Sequence, residues 1–360
     1  MRIFAFDLIR VVAIFLILLV HTVLPLPLTS GNLSVNLPLL LIGQLGTGLF
    51  FLLSGALMLP RERDRAFPWH WRRVGQFLFL LVFWSFFTSA VYYSADGAGL
   101  MDAVRHAARA NNVLVGGDNG AGGQLWFLWV ISVLYLSLPF LGRMTQGLRG
   151  WEYVAFAVLT CLLVLVPGTF DAARAHRTLL DPLAESIYGE VPLYGSILAW
   201  FLLGDFFARF RIAEILRRRV PFVGTILLLL FVADIFAASA MEVSLLHAAG
   251  KAEMYLPVHL YPRSVFLFVG SSLLFLLLLV WAPHLSRYAR PLEALSRDVF
   301  GVFLVHMIPC LLLPRTLVSL GVTVEQPLLF GACVFFGMAA VSFPLAAILR
   351  RIRFVRFLVS

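Results

Sequence analysis

Lysine is almost missing from this chain: of 28 basic residues in 360, only Lys251 is not arginine. Charge of either sign is also scarce, at 13% of residues against about a quarter in soluble domains. Hydrophobic residues make up 61% and the mean hydropathy is +0.93. So few charges cannot shield that much Leu, Phe and Val from water, and the expected solvent is lipid. Cysteine is rare. Cys161, Cys310 and Cys333 sit in apolar stretches with no Cys-x-x-Cys or Cys/His spacing, so they read as small core hydrophobes and imply neither a disulfide framework nor a metal site. No fixed-period repeat is present, which excludes a solenoid, and no inverted repeat of the kind common in transporters is evident. The net charge of +9 in such a chain reports topology first, so nucleic acid is not an expected partner. Secreted, disordered and fibrous classes are excluded on the same grounds.

What the chain does have is a series of apolar runs of about 20 residues, the length needed to cross a bilayer. Ten are expected: Phe4 to Leu24, Asn36 to Leu59, Val74 to Ala95, Gln124 to Leu141, Trp151 to Pro167, Pro192 to Phe210, Val220 to Ala240, Arg263 to Ala282, Ser296 to Val318 and Pro327 to Leu349. Pro and Gly clusters, such as Pro25 and Pro27 or the stretch from Gly116 to Gly123, separate most of them. The first run resembles a signal peptide superficially. It lacks a small-x-small cleavage site and carries Asp7, Arg10 and His21, so it is expected to be retained.

The connections alternate in charge. Twenty of the 28 basic residues fall in the N-terminal tail, the even-numbered loops and the C-terminal tail. Examples are Arg61, Arg63 and Arg65 after the second run, Arg217, Arg218 and Arg219 after the sixth, and Arg350 and Arg351 at the end. The odd loops and their edges hold seven, and Arg10 alone lies deep in a run. By the positive-inside rule both termini are cytoplasmic, which requires an even number of spans. The expected architecture is an all-α integral membrane bundle of about ten helices over 1–360, one domain with no separate soluble part. Two longer outer loops, Asp96 to Gly123 and Gly168 to Val191, suit either a lid over an outward-facing site or plain solvated linkers.

Titratable groups at membrane depth are costly and are functional candidates by default. Arg10 and His21 are 11 residues apart on the first run, three helical turns plus about 20°, so they share a face about 16 Å apart along the axis. Asp7, one turn before Arg10, is placed to hold its guanidinium. The competing structural reading has Arg10 snorkelling inward and His21 making a local hydrogen bond.

These residues carry a resemblance. Phe6-Asp7-Leu8-Ile9-Arg10 followed by His21 is similar to the opening of the membrane-bound acyltransferase 3 family, marked by an Arg, ten residues and a His in the first helix. Phe50-Phe51-Leu52-Leu53-Ser54-Gly55 resembles its second-helix Phe-Phe-x-x-Ser-Gly element, and Trp71-Arg72-Arg73 the basic start of its third helix. Leu125-Trp126-Phe127-Leu128 is similar to the Leu-Trp-Phe-Leu segment of the surface polysaccharide O-acetyltransferase branch. Phe300 to His306 resembles the late Tyr-Leu-x-His helix. Two positions depart: Gln124 stands where the branch often has His, and Gln76 where many members have a further basic residue. An amide at 124 can hydrogen-bond but cannot take a proton.

The resemblance implies an enzyme of the bacterial cytoplasmic membrane that takes an acyl group, acetyl in this branch, from cytoplasmic acyl-CoA. The acyl group goes to a hydroxyl of a glycan, lipid-linked sugar or glycolipid at the outer face. Acyl-CoA (acetyl-CoA) is then a donor substrate, with no permanently bound cofactor and no metal expected. Arg72, Arg73 and the deeper Arg10 suit the donor phosphates. Ser54 and Gly55, with Gly43, Gly46 and Gly48, give the second helix small positions for a slender thioester arm or, alternatively, for close helix packing. His21 is the expected general base, and an acyl-His intermediate stays open beside direct transfer. His306 is expected to orient His21 or to hydrogen-bond the thioester carbonyl, against the alternative of a satisfied core histidine. Gln124, Trp126 and Trp129 are expected on the acceptor, the Trp rings by stacking on sugar or only by anchoring at the interface. Asp205 and Asp234 partner Arg209 or water, or line a cavity. His70, His106, His176, His247, His259 and His284 fall in loops or at span edges without ligand spacing. The rival class is a secondary transporter or flippase of a lipid-linked glycan; a sensory or scaffold protein gives Arg10 and His21 no task.

Overall fold

The computed structural model describes residues 4–23, 33–60, 67–109, 123–166, 197–219, 222–248, 264–322 and 327–359, together with Leu26 and Thr169. All regular structure among them is helical. In chain order the helices are α1 (Phe4–Val23), α2 (Leu33–Met58), α3 (Phe67–Ala95), α4 (Leu100–Arg109), α5 (Trp126–Gln146) and α6 (Gly150–Thr160, extended by a π turn Cys161–Leu165). They continue as α7 (197–209), α8 (Ile212–Arg219), α9 (Val223–Ala248), α10 (Val265–Trp281) and α11 (Ala289–Ser296). The last are α12 (Val299–Val305), α13 (Met307–Ser319) and α14 (Pro327–Arg351).

Lipid offers no hydrogen bonds, so each span must satisfy its own backbone, and helices do this within the segment. Hydroxyls obey the same constraint by bonding back one turn: Thr22 donates to Leu18 O at 2.9 Å and Ser132 to Leu128 O at 2.7 Å. Ends are capped where the chain supplies an oxygen. The Ser264 side chain accepts the Phe266 N–H at 3.1 Å and opens α10, and Glu152 accepts the Arg149 N–H at 2.5 Å at the start of α6.

Seven of these helices are long and apolar enough to cross a bilayer, or eight when α12 and α13 count as one bent span. They correspond to the first, second, third, fourth, seventh, eighth and tenth expected runs, with the bent pair as the ninth. The fifth run is a shorter apolar helix, Gly150–Leu165, and the first part of the sixth lies outside the described residues. One expectation changes in kind. The ninth run is not a continuous helix: it breaks at His306, where α12 and α13 meet at 56°.

The chain forms two compact units that alternate along the sequence. The first comprises Met1–Arg61 and Met144–Ser296, the second Glu62–Arg143 and Arg297–Ser360. In the first unit α1 packs along α2, α2 also meets α9 and α10, and α11 closes on α1. The contact between α1 and α2 is close because α2 presents glycine: a Cβ on Gly43 would lie 2.8 Å from the backbone nitrogen of Val20. Trp200 and Phe51, both fully buried, stack at 6.2 Å in this core. In the second unit α12 and α13 pack on α14, and α3 on α4 and α13. Two ion pairs tie it: Arg350 holds Asp298 through Nε at 2.5 Å and Nη2 at 3.3 Å, and Arg315 pairs with Asp96. Trp84 Nε1 donates to Leu358 O at 2.9 Å.

Candidate active site

Helix α1 has neither Pro nor Gly; it carries Asp7 in its first turn, the end at which its dipole favours a negative charge, and His21 in its last turn. Asp7 is 2% exposed. Arg10 Nη1 donates to Asp7 Oδ1 at 2.9 Å, as the spacing implies, and the Arg10 side chain stays 30% exposed. Ser296, at the end of α11, donates to the same Asp7 oxygen at 2.6 Å. The carboxylate therefore fixes the guanidinium and is itself fixed from a second helix. His21 is half-buried, three turns further along α1.

The small positions of α2 are used for packing. A Cβ on Gly55 would overlap the backbone carbonyl of Phe201 in α7, and one on Gly204 would overlap the carbonyl of Leu52. Each glycine thus admits the other helix's backbone. Gly43 and Gly46 do the same toward α1, and Gly48 faces Ser271 of α10. Of the two readings of these residues, close packing describes the geometry, and Ser54 lies half-buried beside it.

The remaining candidates belong to the second unit. Arg72 is exposed on α3. Arg73 donates to Gln76 Oε1 at 2.9 Å, with its guanidinium 5.7 Å from the Trp69 ring, which stacks at 5.7 Å on Tyr135. Gln76, the departure from a basic residue, thus serves to orient Arg73. His70 is buried within α3, edge-on to Trp69 at 5.1 Å. Gln124 lies in a 3-10 turn, Gly123–Leu125, 6% exposed, and neither amide atom has a hydrogen-bond partner among the described residues. Trp126 packs edge-on to Phe127, which meets Phe303 at 5.4 Å, and Phe303 lies 5.9 Å from His306. Trp126 and His306 are in this way linked through one aromatic seam. Trp129 is not part of it, being 47% exposed on the outside of α5.

His306 is fully buried at the break between α12 and α13. Its Nδ1 is 2.7 Å from Phe303 O, an acceptor, so Nδ1 carries the hydrogen. A neutral ring held this way presents an Nε2 lone pair, which accepts a proton rather than donating to a carbonyl.

Asp205 and Asp234, indistinguishable in sequence, separate in the structure. Asp205 is fully buried, accepts from Tyr153 Oη at 2.5 Å and pairs with Arg209 at 3.3 Å, while Arg209 also bonds Thr145 O. Asp234 instead lines a small cavity with Gln44. Sequence reasoning missed Ser296, Tyr153 and Gln44 as partners. For Asp205 a signal existed in the i, i+4 spacing to Arg209; Ser296 and Gln44 gave none.

The chain matches the model of an acyltransferase domain over residues 3–347 and belongs to the acyltransferase 3 family. It is a multi-pass membrane protein of acyltransferase class. No curated protein and no solved structure matches it.

Proposed function

We propose that this protein moves a short acyl group, acetyl above all, from acyl-CoA in the cytoplasm to a hydroxyl of a glycan, lipid-linked sugar or glycolipid at the outer face. It would span the bacterial cytoplasmic membrane ten times with both termini inside. The observation that carries the reading is Arg10 clamped by Asp7 on the same helix that bears His21, 11 residues on. A guanidinium whose orientation is fixed is suited to a phosphate of the donor. His21 takes the hydroxyl proton as the acceptor oxygen attacks the thioester carbonyl, the C–S bond breaks, and the proton passes to the leaving thiolate. A base so placed contributes typically about 10²–10⁴-fold. Arg72 and Arg73 offer further positive charge for the donor, and Gln124 and Trp126 groups for the acceptor.

A second assignment of the base is favoured by the Nδ1 bond to Phe303 O, which makes His306 a proton acceptor. A transporter or flippase reading draws on the 56° break at His306, since broken helices mark many transport sites. One experiment separates these. Purified protein in lipid is given labelled acetyl-CoA with and without a glycan acceptor, and both donor binding and CoA release are measured. His21→Ala is expected to keep donor binding and lose transfer, whereas Arg10→Ala weakens donor binding. Full transfer by His21→Ala with loss in His306→Ala would move the base to His306. Absence of any acyl-CoA binding would leave transport as the better account.

A further inference from the structure

Past Arg351, where α14 ends, the chain turns at once: the amides of Val355 and Arg356 both bond Ile352 O, at 3.1 and 2.9 Å, and a 3-10 turn, Arg356–Leu358, follows. One side of this tail is pinned to the second unit. Leu358 O accepts Trp84 Nε1 of α3 at 2.9 Å, the Phe357 ring meets Phe79 of α3 at 5.8 Å, and Val359 is buried against Gly301 of α12. A Cβ on Gly301 would stand 3.2 Å from Val359 Cβ, so glycine at 301 makes room for the tail. Arg350 fixes the root of the tail through Asp298. No step of the proposed transfer uses these contacts.

The other side of the tail faces away from the protein. Arg351, Arg353 and Arg356 are exposed and have no carboxylate partner among the described residues. No acid follows Glu325 in the sequence to neutralise them. Phe354, in the middle of the turn, is 84% exposed, more than any other large apolar side chain among the described residues. Water disfavours that ring, and hydrocarbon disfavours the arginines beside it. The boundary between the two suits both, because the ring can sink among acyl chains while the guanidiniums meet lipid phosphates. The tail lies at that level. Helix α14 is a span whose apolar length runs out at Arg350 and Arg351, and the contacts with Phe79 and Trp84 turn the next residues back along the second unit instead of out into water.

We propose that Arg351, Arg353, Arg356 and Phe354 form a docking surface for anionic phospholipid, of the phosphatidylglycerol type, at the membrane face where α14 ends. Charge selects the lipid: a zwitterionic headgroup carries as much positive charge as negative and gives clustered arginines no net attraction, whereas an anionic one does. A soluble phosphate compound has no use for the exposed Phe354 ring, and a bilayer has. Basic clusters directly after a span bind anionic lipid in this way, and each arginine near such a surface is worth about fivefold. Docked lipid also secures the second unit. The tail's inner side grips α3 through Trp84 and α12 through Gly301, so lipid that holds the tail holds these two helices together. The inference is independent of the transfer reaction and of which side of the membrane the termini occupy.

The test uses the full-length protein in nanodiscs of phosphatidylcholine and in nanodiscs of phosphatidylcholine mixed equally with phosphatidylglycerol. Amide hydrogen exchange is read over residues 350–359, with α9 as the internal reference. In the wild type the tail is expected to exchange more slowly in the anionic nanodisc, by up to about a hundredfold for three arginines, and concentrated sodium chloride removes the difference. Arg351→Gln, Arg353→Gln and Arg356→Gln together abolish the difference, while Phe354→Ser speeds exchange in both lipids. Should the triple variant fail to fold, as faster exchange over α9 would show, Arg353→Gln alone is expected to shrink the difference about fivefold. Acetyl-CoA added to the neutral nanodisc is expected to leave the tail unchanged. A slowing equal to that by phosphatidylglycerol would assign the arginines to a soluble phosphate and overturn the proposal. Equal exchange of the wild-type tail in the two nanodiscs, or a difference that survives the arginine substitutions, overturns it as well.

Discussion

Ser296 donates a 2.6 Å hydrogen bond to Asp7 across 289 positions of chain, to the same oxygen that receives Arg10. The only deep arginine of the first helix is thereby tied to the segment that leads into α12. Asp7→Asn keeps the shape and removes the charge that holds Arg10; with Arg10 partly exposed the cost is about 1–2 kcal/mol. Ser296→Ala costs about 1 kcal/mol. In a double-mutant cycle read by unfolding in lipid, the two are expected to be non-additive, because they share one oxygen. Strict additivity would mean the bonds act independently.

The break at His306 makes a separate test possible. His306→Asn shortens the side chain and moves its donor away from Phe303 O. Transfer is expected to fall by about 10²-fold or more if the ring accepts the acceptor's proton, with acyl-CoA affinity unchanged. A fall confined to thermal stability would identify a core histidine.

Gly55 and Gly204 distinguish packing from passage. Alanine at either meets backbone, not a movable side chain, and is expected to cost about 1–3 kcal/mol or more and to lower the yield of folded protein. The folded fraction should bind acyl-CoA as the wild type does. Weaker donor binding at unchanged stability would show the arm running along this face.

Trp126 and Trp129 lie three residues apart with different surroundings. Trp129→Ala, at an exposed ring, is expected to leave the acceptor KM unaltered, whereas Trp126→Ala, in the seam with Phe127, raises it. Equal effects on KM would place both rings on the acceptor.

Tyr153→Phe deletes a buried hydrogen bond to Asp205 and leaves its ion pair with Arg209. A stability loss of about 1–2 kcal/mol with normal turnover is expected, measured by unfolding and by CoA release.

Hydropathy made the helices legible, because a bilayer demands an apolar run of fixed length and every span then satisfies its own backbone. The i, i+3 pair of Asp7 and Arg10 was equally readable, being local to one helix. Ser296 was not: its partner lies on a helix that nothing in the nearby sequence points to. The break at His306 did have a signal, Pro309 one turn on, which has no N–H for Val305 O, but the unbroken hydropathy of the run masks it. Asp205 and Asp234 show the limit most clearly. Both are single acids in apolar helices, and only the neighbours supplied by other helices, Tyr153 for one and Gln44 for the other, make one a structural tie and the other a cavity wall.

The alternation of the two units along the chain sets a schedule for synthesis. Helices α3 to α5 leave the ribosome before residues 144–296 of the other unit, while their partners α12 to α14 come after it. At roughly 5–20 residues per second, that intervening stretch takes roughly 10–30 s to make. Throughout that interval α3 waits for α13 and α5 for α12, and the second unit cannot be finished until the segment beyond Ser296 emerges. Chains interrupted there would be natural clients for membrane chaperones and proteases.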